Sequence, residues 1–64
     1  MENWLIEYDV KRDGEFTDRG NQYGFTAKTL YDAKNKANKR FKLLESSGYK
    51  ITYAILYKAV EMIR

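Results

Sequence analysis

The chain has 64 residues, 44% of them hydrophobic and 16% aromatic, and it contains no Cys, His or Pro. A chain this short buries only about 60% of the surface it exposes when unfolded, so residues 1–64 make a single domain, and large apolar groups are too frequent for a disordered tail. Disulfides and the usual zinc ligands are excluded, and the net charge of +3 is split between a −3 half over residues 1–27 and a +6 half over residues 28–64.

Residues 4–10 alternate, with Trp4, Ile6, Tyr8 and Val10 on one side and Glu7 and Asp9 on the other, which predicts a strand with one buried face. Asp13-Gly14 supplies the positive φ angles of a tight hairpin, after which Glu15-Phe16-Thr17 can return antiparallel. Gly20-Asn21 is a second turn signal, so the second main strand is expected over residues 22–27, where Tyr23, Phe25 and Ala27 share a side. Residues 11–21 read as either a distorted hairpin tip or a mobile loop.

Thr29 followed by Asp32 resembles a capping box and places a helix start at about Leu30. Leu30, Ala33, Ala37, Phe41 and Leu44 then recur at steps of three and four, an arc that must face the sheet, and Gly48 is suited to end the helix in a left-handed conformation. Beyond it Tyr49, Ile51, Tyr53, Ile55 and Tyr57 alternate with Lys50, Thr52, Ala54, Leu56 and Lys58, predicting the longest strand with its Tyr and Ile residues in the core. Residues 59–64 fit a strand end or a frayed tail better than a helical turn. The expected fold is α+β, a β-β-α-β chain with three or four antiparallel strands, one helix on one face, and the other face open around Leu5, Ala54 and Leu56.

Nothing in the sequence assembles catalytic chemistry. Proton transfer at neutral pH lacks a His, thiolate attack lacks a Cys, and Ser46-Ser47 beside Gly48 have no base and read as helix C-terminal polar residues. Asp9, Asp13, Glu15 and Asp18 miss the calcium-loop spacing and read as solvated turn acids, and the four glycines match no phosphate-binding fingerprint. The chain is therefore expected to be no enzyme and to need no cofactor or metal.

The dense charge feature is the helix, where Lys28, Lys34, Lys36, Lys39, Arg40 and Lys42 stand against Asp32 alone. Lys36, Lys39, Lys42 and Leu43 lie opposite the apolar arc, while Lys34 and Arg40 flank it. A solvated face accounts for this pattern, and so does a docking face for an anion, because proteins of this size usually mix both signs on their surfaces. DNA or RNA is one such partner, with Arg12 and Arg19 as further bases and Tyr23 or Tyr31 as stacking surfaces. Few side chains can read base edges, so binding would be weakly sequence-specific. An open sheet face or unpaired strand edge also suits a protein partner, including a second copy of the chain.

The run Phe25-Thr26-Ala27-Lys28-Thr29-Leu30 followed by Asp32-Ala33-Lys34-Asn35-Lys36-Ala37 resembles small β-β-α-β proteins encoded by phages and other mobile elements. Some anti-CRISPR inhibitors share this strand followed by a Thr-Leu-x-x-Ala-Lys-x-x-Ala helix. The resemblance covers the middle third of the chain. It implies a non-catalytic module in the cytoplasm of a host cell, one that occupies a site on a host defence protein or ribonucleoprotein complex and blocks its substrate. A mimic of DNA charge would be acidic, so this chain would instead meet an acidic surface or the complex's own nucleic acid. No run of about 18 apolar residues and no signal-peptide pattern is present, so no membrane contact is expected.

Overall fold

The structure is a computed structural model and describes residues 1–12 and 15–59, apart from the side chains of Glu15 and Phe16. Its elements are β1 (Glu2–Arg12), β2 (Glu15–Ala27), α1 (Leu30–Ser46) and β3 (Lys50–Ala59). β1 lies between the other two strands, antiparallel to both, and the sheet order is β2-β1-β3. This is the expected α+β arrangement, with three strands among the described residues.

The alternation read in β1 determines where the core sits. Trp4, Ile6, Tyr8 and Val10 are all buried, against Ala33 and Ala37 of α1 and Ala27 of β2. Two alanines on the inner helix face allow the backbone to come close to the sheet, while Tyr8 meets Phe41 edge-on with ring centroids 5.7 Å apart. Phe25 and Leu56 touch both halves of this core, one half around Trp4, Ala27 and Ala33 and the other around Ile6, Tyr8, Val10 and Ala37. Ile6, only 1% exposed, stands at its centre. The Trp4 indole N–H donates to the Ala27 carbonyl at 3.3 Å, which satisfies the polar atom that this ring takes into the interior.

Both helix ends follow their local signals. Thr29 Oγ1 accepts from the Asp32 N–H at 3.1 Å, and the Asp32 carboxylate reaches back to the Lys28 N–H. At the other end Gly48 takes a φ of 93°, the Tyr49 N–H donates to Leu44 and the Gly48 N–H to Glu45, the paired bonds of a Schellman cap. Ser46 and Ser47 both donate to the Leu43 carbonyl, so their hydroxyls close the last turn. Leu30 departs from expectation. It is 52% exposed, because the close approach at Ala27 and Ala33 leaves it beyond the rim of the core.

Two further expectations are corrected by bulges. Gly20-Asn21 makes no chain-reversing turn, and β2 runs on through it as a strand of 13 residues, with register breaks between the partners of Tyr8 and Val10 and between those of Val10 and Lys11. Gly20 sits there with a φ of 67°, and its N–H donates to the Asp9 carboxylate at 2.8 Å. A glycine supplies the left-handed backbone that a bulge needs, and Asp9 holds it in place. Residues 15–21 are thus a bulged hairpin arm, while Asp13-Gly14 lies outside the described residues.

The second bulge is in β3. Asp9 pairs with Tyr53 but Val10 pairs with Ile51, so Thr52 is an extra residue and the alternation reverses across it. Tyr49 and Ile51 pack on the core as expected. Past the bulge, Ala54 and Leu56 pair with Tyr8 and Ile6 on the helix side, and Tyr53, Ile55 and Tyr57 pair with Asp9, Glu7 and Leu5 on the open side. The open face therefore carries Leu5, Tyr53, Ile55 and Tyr57, and not Ala54 and Leu56. The expected residues 59–64 are described only as far as Ala59, which ends β3.

Candidate functional site

The most developed constellation on the surface is the flank where α1 meets β2. Tyr23 and Phe25 sit two residues apart on one face of β2 and stack at 5.9 Å with planes 27° apart. The Arg40 guanidinium lies over the Tyr23 ring, 4.6 Å from its centroid. An arginine plane on a ring is attracted by the ring's quadrupole, and the stack fixes a side chain that would otherwise sample many rotamers. Lys36, Lys39 and Leu43 complete a shallow groove with these three residues.

Lys36 is tied to the strand below it. Its ammonium donates to the Thr26 carbonyl at 2.7 Å and pairs with Asp32 at 3.6 Å. Helical spacing sets this up, because Asp32, Lys36 and Arg40 succeed one another at steps of four along the side of α1 that overlooks β2. Lys39 and Lys42 follow on the outer surface and are exposed. Arg40 is half-buried, and its Nε–H is enclosed without a hydrogen-bond partner among the described residues. Such an atom disfavours its own burial by about 1–3 kcal/mol, and the ring contact offsets part of that cost.

The nine expected binding residues do not form one patch. Tyr23, Lys36, Lys39 and Arg40 come together in this groove, and Lys42 lies one turn beyond Lys39. Lys28 precedes the helix cap at the other end of α1, and Lys34 faces the opposite flank beside Ala37, Ala54 and Leu56. Arg12 is at the far end of β1, where its guanidinium lies 5.5 Å from the centre of the Tyr49 ring. Arg19 is exposed in the bulged part of β2. Tyr31 is exposed on the helix away from the groove, so Tyr23 is the aromatic that the basic residues surround.

Phe25 and Leu43 belong to the groove although neither was expected there. Leu43 carried a signal, since a leucine that is 64% exposed on a lysine face has no packing role in the fold. Among the described residues no cluster of three or more potential metal-ligating side chains exists. Asp9 is engaged with the Gly20 amide. No helix in the described residues is long and apolar enough to cross a membrane. Compared with protein-family models, curated protein sequences and solved structures, the chain matches none.

Proposed function

We propose that the chain is a non-catalytic binding module whose working surface is the α1–β2 flank, and that its ligand is the phosphate backbone and exposed bases of single-stranded nucleic acid. The observation that supports this most is the Arg40–Tyr23–Phe25 stack edged by Lys36 and Lys39. Aromatic faces accept any base, and lysines beside them neutralise phosphates, which is the general chemistry of sequence-tolerant strand binding. Duplex DNA offers no unstacked base to Tyr23 and should bind less tightly.

The test is fluorescence anisotropy with a labelled single-stranded oligonucleotide over a range of salt. If Lys36, Lys39, Arg40 and Lys42 neutralise about four phosphates, affinity falls about 50-fold between about 50 and about 200 mM salt. The double substitution Lys39→Glu and Lys42→Glu should reduce the slope by about 1.4 without altering the far-UV circular dichroism, because both residues are exposed. Absence of binding at about 50 mM salt overturns the proposal.

A second reading follows from the resemblance of residues 25–37 to small phage proteins. In it the module occupies a site on a host defence protein or ribonucleoprotein complex, with the same flank meeting the complex's nucleic acid. It predicts stoichiometric co-purification with such a complex at moderate salt, and its loss on Lys39→Glu.

A further inference from the structure

We propose that the chain forms a closed dimer by pairing the free edge of β3 with the β3 edge of a second copy, antiparallel and centred on Ile55. This surface is at the opposite side of the sheet from the nucleic-acid flank and does not depend on that reading. Among the described residues β3 pairs only with β1, so its outer backbone groups face no strand. Residues 51–57 read Ile-Thr-Tyr-Ala-Ile-Leu-Tyr, a run without charge, Pro or Gly. An edge of this kind is normally blunted by charge or bulges, since it is a template for another strand. The outer edge of β2 is blunted in that way, with Asp18, Arg19, Gly20 and Gly24 along it and two register breaks. β3 is not.

Its lysines do little to protect it. Lys58 is drawn away onto Glu2, with Nζ 2.6 Å from the carboxylate. Lys50 is beyond the bulge at Thr52, outside the regular part of the strand.

Charge and facing select the register. Directly opposed residues in an antiparallel pair share a face, so a twofold-related pairing must centre on a residue and not between two. Centring on Ile55 sets Tyr53 against the partner's Tyr57 on the open face, Ala54 against the partner's Leu56 on the helix face, and Thr52 against the partner's Lys58. No like charges meet. Centring on Ala54 sets Lys50 against the partner's Lys58, which opposes like charges at both ends. Face-to-face docking of two open faces is a poorer solution, because Glu7 and Asp9 lie between Leu5, Ile55 and Tyr53 and their carboxylates would be buried against those of the other copy. Edge pairing keeps both in water and aligns Tyr53, Ile55 and Tyr57 of the two copies into one stripe across six strands.

The full chain is tested by sedimentation velocity between about 10 µM and about 1 mM, a window that covers micromolar dissociation constants. The expected result is a shift from 7.6 kDa towards twice that mass. Ile55→Lys places two ammonium groups opposite each other at the twofold and should hold the protein monomeric, and because Ile55 is 40% exposed its thermal melt should match the wild type at low concentration. A second readout uses the absence of cysteine. Ile55→Cys puts a thiol opposite itself at about 5 Å, within disulfide reach, and should give a covalent dimer about tenfold faster than Leu43→Cys on the exposed helix surface. A wild type that remains monomeric at the highest concentration, equal linking rates for the two thiols, or growth beyond the dimer would each overturn the proposal.

Discussion

Deleting Thr52 should do almost no harm, whereas deleting Ala54, two residues on, should be damaging. Thr52 is the residue that β1 does not match, and its removal would leave Val10 opposite Ile51 and Asp9 opposite Tyr53 with nothing between them to bulge. The loss is one exposed hydroxyl contact to the Asp9 carbonyl at 3.5 Å, too long to hold much energy. Deleting Ala54 removes the bulge as well, but by bringing Tyr53 round to oppose Tyr8. A tyrosine would then have to fit beside Ala37 and Phe41, where the structure has a methyl group. Overpacking of that kind costs about 1–3 kcal/mol. The alternative, keeping the bulge and sliding the distal half of the strand, turns Leu56 out of the core at a similar cost of about 2 kcal/mol. A domain of 64 residues has only about 3–10 kcal/mol of stability in total. At about 4–8 °C per kcal/mol, the Ala54 deletion should lower the melting temperature by about 8–16 °C and the Thr52 deletion by less than about 4 °C. Thermal denaturation followed by far-UV circular dichroism reads both. Equal losses, or a larger loss for Thr52, would refute the assignment of Thr52 as the extra residue and with it the facing of Tyr53, Ile55 and Tyr57.

Two further perturbations probe the helix ends. Thr29→Ala removes the acceptor of the Asp32 N–H and should cost about 1 kcal/mol in urea unfolding, with Thr29→Ser restoring most of it. Gly48→Ala places a β-carbon at a φ of 93°, where the nearest side-chain atom, Arg12 Nε, is 3.8 Å away. The space is adequate and the backbone is not, so the expected loss is about 1–2 kcal/mol and Gly48→Asn should be milder than Gly48→Ala. No change for Gly48→Ala would mean that the helix ends in some other way.

Where one residue type has one physical use, the sequence was legible. Alternation in β1 revealed its buried face, Thr29 and Asp32 marked the helix start, and Gly48 marked its end. Bulges escaped, since an extra residue leaves no trace in a pattern of apolar and polar letters. Across Thr52 the run Tyr49 to Tyr57 looks uniform, and both faces of β3 carry residues apolar enough to be core. Only the pairing with β1 reveals which half is turned outward. Gly20-Asn21 was misleading for a related reason, as the positive φ that makes a turn also makes a bulge. The basic face was read as one surface because a helical projection has no sheet beneath it. The strand below is what separates Lys36 and Arg40, lying over β2, from Lys34 on the β3 side, and what brings Tyr23 and Phe25 up against the first pair.

The sheet order carries a consequence for how the molecule is made. β1 leaves the ribosome first but lies in the middle of the sheet, and Asn3 finds its partner on one side only when Ala59 has been synthesised. A nascent chain with β1, β2 and α1 in place would hold a buried face with one border unsealed. Cooperative folding then waits for the last strand to emerge, and over that interval the strand at the heart of the finished domain is the one most open to capture by a chaperone.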